Sequence, residues 1–600
     1  MPPSACALHA RELASLRTTP THRESWLERA KHSVPLAFAL YLWNTLTAWV
    51  WTLVTSPAAI LLDPLSTIAA LVVYPVVWIG LAFATFVFWF AGIFGGGKLI
   101  DWVSVRFANG YSMVNWANPE IFGPSSTMAM EAARPMLHGQ YKTTVPPGAS
   151  SEDDNPMFGM TKTIRIFSIP LARAFLLMSA LVYERKDEFV LVASDLAAKA
   201  EKMADDDAAK NRLLREVERQ LEKSEKVIRD QAQRWGFEYE GVSELGTTRG
   251  GPFASIFYTS TESHESPCIV LVFKGTGPQN FAEFLVDATI NRVPASVFFG
   301  AGAGTAHQGF YTNLFATNDS RDRHGTDAYG TIVRTLRHTA QRMKQELSAN
   351  RELGDAAIDR IPLWVSGHSL GSAIASLCYA RFLRSPEDLG GDLELRDCYS
   401  FGTPRLGDGN FTSAFEESIV TPRDRPNILW RVQNHLDVVT KVPPGLADNE
   451  RGRSTLSVVS VLNYAHLGPC VVLRPFQFRV PIVSALLGKK TRPSFRVDEA
   501  GAFHEAVNVQ VVDEHYSGSA EESQADAATI KYKPTFRMGT TNEMAKLAVA
   551  WYQNPLNLLK LLPAPLYDHF PAAYLADINL LQATNVRDGA DSARSSPTVF

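Results

Sequence analysis

The stretch Ile361-Pro-Leu-Trp-Val-Ser-Gly-His-Ser-Leu-Gly-Ser-Ala-Ile-Ala-Ser-Leu-Cys-Tyr-Ala380 decides the fold. Ile361 to Val365 is a short apolar run that predicts a buried strand. Gly367, His368, Ser369, Leu370 and Gly371 follow at once, and a helix of small and apolar residues is expected from Ser372 to about Leu383. A Gly-x-Ser-x-Gly motif carries chemical meaning only in such a strand–turn–helix setting. The turn is sharp, and glycines at its flanks let strand and helix approach without a Cβ clash. Ser369 is then held clear of the sheet at a helix N-terminus, where free N–H groups and a positive dipole face any developing oxyanion.

Outward from that stretch, strand and helix signals alternate. Ser255 to Thr259 is β-rich, and Pro267 to Lys274 is an almost continuous apolar strand ending in Lys274-Gly-Thr-Gly277. Leu395 to Phe401 and Asn427 to Val432 are further strand candidates, separated by helical patterns over 327–350, 372–384 and 406–418. Apolar strands alternating with helices predict an α/β fold with a mainly parallel sheet covered on both faces.

A serine hydroxyl needs a base, and the base needs an orienting carboxylate. After Ser369 the best-placed acid is Asp437, which closely follows a predicted strand; Asp448 and Glu450 lie in a less defined loop. For the base the chain offers His466, His504, His515 and His569, and spacing alone leaves all four open. An oxyanion takes one N–H from just after the serine, Leu370, and one from a loop after an earlier strand. Thr276, between two glycines, is the candidate for the second.

The N-terminal third reads differently. Residues 1–32 form a polar tail with a basic excess, and Ser33 to Leu62 and Leu65 to Gly97 carry no charge. Each stretch exceeds the ~20 residues that cross a bilayer core. The expectation over 33–98 is two transmembrane segments, or a hairpin dipping into one leaflet or a lipid-droplet monolayer, with both ends cytosolic. Residues 99–184 read as a connector with an amphipathic helix up to about Tyr183, more in keeping with a core helix than with one in the membrane plane. Residues 185–234 are densely charged, with Leu213, Leu214, Val217, Leu221 and Ile228 at helical steps and a break near Asp205. Residues 581–600 read as a loose tail.

The bulk composition limits the function. The 600 residues are 46% hydrophobic and 20% charged, enough for a sizeable core. A net charge of −4 gives no electrostatic reason to expect nucleic acid. Five scattered cysteines without a C-x-x-C pair suggest neither a zinc site nor a disulfide framework. No metal or organic cofactor is expected, and no protein partner is predictable.

Several of these segments together resemble the fungal-type class 3 lipase family. Val272 to Thr276, then Phe284-Leu-Val-Asp287, then His307-Gln-Gly-Phe310 look like its strand, its aromatic-rich segment and its His-x-Gly-Phe. Val365 to Ala373 is similar to its elbow, Ser400 to Gly407 to its Phe-Gly-x-Pro-Arg-Val-Gly, and Arg431 to Pro444 to the stretch holding its catalytic aspartate. The resemblance covers about residues 236–475 in the expected order. It implies an α/β-hydrolase over 235–580 with an extra stretch near 480–549, and a serine esterase acting on lipid.

By this resemblance Tyr567-Asp-His-Phe-Pro-Ala-Ala-Tyr574 loosely fits the segment holding the base, so His569 is favoured and His466 is the runner-up. Lys274 stands where the family has arginine. Residues 280–306, with Phe281, Phe284 and Leu285 on one face, read equally as a lid or as a packed connecting helix. Triacylglycerol, diacylglycerol (as for sn-1 diacylglycerol lipases) and phospholipid (as for phospholipase A1) are the candidate substrates. The other class of function is an inactive membrane scaffold of hydrolase fold. The expected location is a membrane, at the endoplasmic reticulum or lipid droplet, with the catalytic domain in the cytosol.

Overall fold

A computed structural model of the chain describes residues 43, 47, 50, 96–137, 163–203, 208–244, 253–259, 267–275, 277, 291–315, 328–350, 359–420, 427–434, 437–448, 450–458, 460–474, 494–498, 507–512, 554–556, 559 and 564–579. Among the described residues twelve strands occur: β1 (Thr163–Ser168), β2 (Phe237–Glu244), β3 (Phe253–Thr259), β4 (Ile269–Lys274), β5 (Arg292–Pro294), β6 (Thr305–His307), β7 (Ile361–His368), β8 (Leu393–Phe401), β9 (Leu429–Asn434), β10 (Cys470–Arg474), β11 (Ser494–Asp498) and β12 (Val507–Val512). Eight of them form one sheet in the order β11-β10-β9-β8-β7-β4-β3-β2. β4, β7, β8, β9 and β10 run parallel; β2 and β3 at one edge and β11 at the other are antiparallel to their neighbours.

Strand side chains alternate between two cores. Ile269, Leu271, Phe273, Leu363, Val365 and Leu429 join one apolar cluster. Val270, Val272, Trp364, Trp430 and Val432 join the other. Burial on both faces is why these strands read as continuous apolar runs instead of alternating ones.

The first core is closed by α1 (Ala328–Asn350), α2 (Leu370–Arg384) and α3 (Gly409–Val420). The second is closed by segments that precede the sheet. These are α4 (Pro124–Leu137), α5 (Ile169–Leu181) and the end of α6 (Ala208–Arg234), and they are joined there by α7 (Pro571–Asn579) near the C-terminus. α5 is buried at every position except Arg173. Ser168 caps it by accepting from the Leu171 N–H at 3.3 Å, and Pro170 occupies its first turn, where no intrahelical donor is lost. A helix apolar all round belongs inside a core, and burying Phe175, Leu176, Leu177 and Leu181 contributes about 1.5–3 kcal/mol each.

This corrects the expected domain boundary. The packed body around the sheet does not begin at residue 235, nor is 99–184 only a connector bearing an amphipathic helix. Trp364 of β7 donates to the Leu137 carbonyl at 3.1 Å, Trp235 donates to Ser126 at 3.0 Å, and Ser179 meets Ser366 at 3.1 Å. The charged helix also docks: Val217, Leu221, Ser224, Ile228 and Ala232 are buried at three- and four-residue spacing, and Lys226–Asp230 pairs in solvent opposite. Its partner is the preceding helix Asp187–Glu201, and the expected break near Asp205 lies outside the described residues.

Within 480–549 the described residues are β11, which extends the main sheet, and β12, which pairs in parallel with β1. The expected membrane hairpin lies outside the described residues, apart from Trp43, Thr47, Val50 and residues 96–98, as do the tails 1–32 and 581–600. Among the described residues no helix is long and apolar enough to cross a membrane.

Candidate active site

β7 ends at Gly367 and His368, and the chain turns at Ser369 into α2. Ser369 has φ 59° and ψ −132°, a conformation costly for any residue with a Cβ. Only Asn109 shares a positive φ among the described non-glycine residues. The strain is sustained by packing on both sides: Ser369 N–H donates to the Phe401 carbonyl of β8 at 2.9 Å, and Ser372 N–H bonds back to the Ser369 carbonyl at 3.0 Å. Gly371 lets α2 lie against β4, since a Cβ there would collide with the Phe273 carbonyl. Leu370 opens α2, where N–H groups lack an intrahelical acceptor.

Two distant segments converge on Ser369. Asp437 follows β9 and is fully buried. Its N–H donates to the Asn434 carbonyl at 2.8 Å. His569 sits between the short helix Ala564–Tyr567 and α7. Its Nε2 lies 2.8 Å from Ser369 Oγ, and its Nδ1 lies 3.0 Å from both Asp437 carboxylate oxygens. A carboxylate can only accept, so Nδ1 carries the proton and Nε2 presents a lone pair to the serine hydroxyl. Asp437 also accepts from the Tyr574 hydroxyl at 2.6 Å and from the Val439 N–H at 2.9 Å. Burial pushes its pKa up, but His569 foremost, with Tyr574 and the Val439 amide, outweighs this and holds it below the ordinary value. The segment bearing His569 is itself pinned: Asn434 donates to the Asp568 carbonyl at 3.1 Å, and His368 Nε2 lies 2.8 Å from the His569 carbonyl.

Other singled-out residues fall elsewhere. His466 is not at Ser369; its Nδ1 lies 2.9 Å from Asp448 and its Nε2 3.0 Å from the Thr440 carbonyl. Asp448 is also bound by Arg405 at 3.1 Å, in a network bracing the loop after β9. His307 caps a short helix, accepting from the Phe310 N–H at 3.4 Å with its ring stacked on Phe310. Lys274 makes a point contact to Asp187 at 3.1 Å. Phe298 stacks on Phe315 with ring centroids 4.2 Å apart, and Phe299 is buried, so this half of 280–306 is packed. Thr276, Phe281, Phe284 and Leu285 lie outside the described residues. Among the described residues no group of three or more His, Cys, Asp or Glu could hold a metal ion.

Sequence reasoning left Tyr574 out of the site, although it closes the Tyr567-to-Tyr574 segment on which His569 was favoured. Tyr183 and Asn434 offered no local signal, because their partners lie far away in the chain.

The arrangement can pass a proton from a hydroxyl to an imidazole held by a buried carboxylate. Residues 270–446 match the model of the family Lipase (class 3). The match supports a lipase-type carboxylic ester hydrolase of α/β-hydrolase fold. Among solved structures, the chain is similar to the Rhizomucor miehei lipase propeptide complex at 19% identity, with 40% of this chain and 57% of that one covered and a TM-score of 0.26. It is similar to the nonglycosylated Yarrowia lipolytica LIP2 lipase at 14% identity (44% and 72% covered, TM-score 0.28) and to lipase II from Rhizopus niveus at 16% (46% and 77%, TM-score 0.28). The chain thus spans little more than half the length of the Rhizomucor structure.

Proposed function

We propose that the chain is a serine lipase hydrolysing acylglycerol ester bonds at a membrane or lipid-droplet surface. The contact of Ser369 Oγ with His569 Nε2 at 2.8 Å, backed by Asp437, carries this reading. Ser369 attacks the ester carbonyl while His569 takes its proton, and Asp437 holds the imidazole and steadies the imidazolium. The N–H groups of Leu370 and Thr276 receive the oxyanion. Collapse of the tetrahedral intermediate returns the proton from His569 to the leaving alcohol, giving an acyl-serine. Water, activated by His569 in turn, then releases the fatty acid.

The uncharged runs over 33–62 and 65–97 support action at a lipid surface, with the catalytic domain cytosolic and the endoplasmic reticulum or lipid droplet as the location. Triacylglycerol, diacylglycerol and phospholipid are the candidate substrate classes. A strained serine with its base and acid in register argues against a scaffold of hydrolase fold, which would have no need to sustain that strain.

The test is a hydrolysis panel of triacylglycerol, diacylglycerol and phospholipid run on the full chain and on Ser369→Ala, with fluorophosphonate labelling in parallel. Wild type should label and hydrolyse at least one class, and Ser369→Ala should lose both labelling and about a thousandfold or more of turnover. Labelling or turnover that persists in Ser369→Ala would overturn the assignment.

A further inference from the structure

The 3₁₀ turn Val182–Glu184 follows α5 and carries Tyr183, outside the stretch that matches the family model. Its hydroxyl is buried among three parts of the site. It lies 3.0 Å from His368 Nδ1 and 3.3 Å from the His368 carbonyl. It also lies against Gly275, the residue before Thr276. Gly275 has no Cβ, and one there would collide with this hydroxyl. His368 in turn spans to the base, its Nε2 lying 2.8 Å from the His569 carbonyl.

The proton positions follow from the partners. A carbonyl can only accept, so His368 carries its hydrogen on Nε2 and donates to His569. Its Nδ1 then has a lone pair, and the Tyr183 hydroxyl is the donor to it. The environment agrees: burial first, and then the nearby His569, lower the His368 pKa to about 3, so the ring stays neutral. A single run of donors results, from Tyr183 O–H to His368 Nδ1, and from His368 Nε2–H to the His569 carbonyl. Each bond in such a run polarises the next.

We propose that Tyr183 is a positioning residue for the hydrolytic step, tying the strand end that leads to Thr276 and the segment that bears His569 to one phenol delivered by α5. The assignment rests on the serine-hydrolase reading above. It gives the pre-sheet helix a task besides covering the core, since the tilt of the imidazole over Ser369 depends on a residue 185 positions before His368. Tyr183 touches no reacting atom; it acts through His368 and Gly275.

The experiment compares full-length wild type, Tyr183→Phe, His368→Gln and the double variant by kcat, KM and denaturation midpoint on whichever ester wild type cleaves. Tyr183→Phe should lose about 10- to 100-fold in kcat, the range a misplaced reacting group costs, with KM within about twofold. The double variant should be no worse than the poorer single one, because both changes cut the same run. A folded Tyr183→Phe with kcat within about twofold of wild type, or losses that multiply, would overturn the proposal.

A readout without turnover covers failure to fold. In ¹⁵N-histidine-labelled wild type, with the His368→Gln spectrum as the assignment, His368 should be neutral and protonated on Nε2. Protonation on Nδ1 would remove Tyr183 as donor and sink the idea. If wild type cleaves no ester at all, the hydrolase reading fails instead, and the labelling result still decides whether the run of donors exists.

Discussion

Two histidine–aspartate pairs lie near the end of β9, and they are built almost alike. His569 meets Asp437 at 3.0 Å and His466 meets Asp448 at 2.9 Å, both through Nδ1. The difference is at the other nitrogen. Nε2 of His569 faces a hydroxyl, Ser369, from which it can accept; Nε2 of His466 faces the Thr440 carbonyl, to which it can only donate. Exposure is inverted as well. In the first pair the histidine is 20% exposed and the acid 0%; in the second the histidine is 5% exposed and the acid 35%. The first buries its charge and opens its base, whereas the second buries its ring and leaves the carboxylate near solvent. A histidine beside a carboxylate is therefore no signature of a base; what the far nitrogen sees decides.

Changing each histidine to glutamine should break the likeness most widely. We expect His569→Gln to lose about a thousandfold or more in kcat/KM with little change in stability. His466→Gln should keep kcat within about threefold but lose about 1–3 kcat-independent kcal/mol of stability in urea denaturation, because Asp448 and Thr440 lose a buried partner. Equal kinetic losses would erase the distinction. A smaller effect should come from Tyr574→Phe, which removes a 2.6 Å donor that only the first carboxylate possesses. About a tenfold fall in kcat is expected, and Asp437 should be easier to protonate, so the acid side of the rate profile should move to higher pH. A profile superimposable on wild type would show the phenol to be packing only.

The last effect concerns His368, another histidine ring, which is buried and has no carboxylate partner. Its folded pKa of about 3 lies below the ordinary 6.5, so the unfolded chain binds a proton that the folded protein refuses. The resulting stability is present above pH 6.5 and is lost as pH falls toward 3. The slope is at most about 1.4 kcal/mol per pH unit. Denaturation of wild type and His368→Gln between pH 7 and pH 4 should show the variant less acid-sensitive by up to that slope; parallel curves would contradict it.

Much of this was legible in the residues. Cys268 to Phe273 and Ile361 to Val365 read as buried strands because both faces of the sheet are covered, leaving no polar alternation to confuse the pattern. The elbow showed itself through the glycines around Ser369, and Asp437 through its place after a strand. His569 was different: four histidines fitted the order equally, and only resemblance to a family favoured it. The domain start was misplaced because the apolar run of α5 meets its partners Trp364, Tyr399 and Trp430 far along the chain, and periodicity carries no address. Tyr183 was invisible for the same reason.

The spacing of the converging groups has a consequence for biosynthesis. Two hundred positions separate Ser369 from His569. At about 5–20 residues per second, translation leaves the alcohol without its proton acceptor for roughly 10–40 seconds. On the hydrolase reading, the nascent chain carries its nucleophile unarmed until the segment bearing His569 has been made.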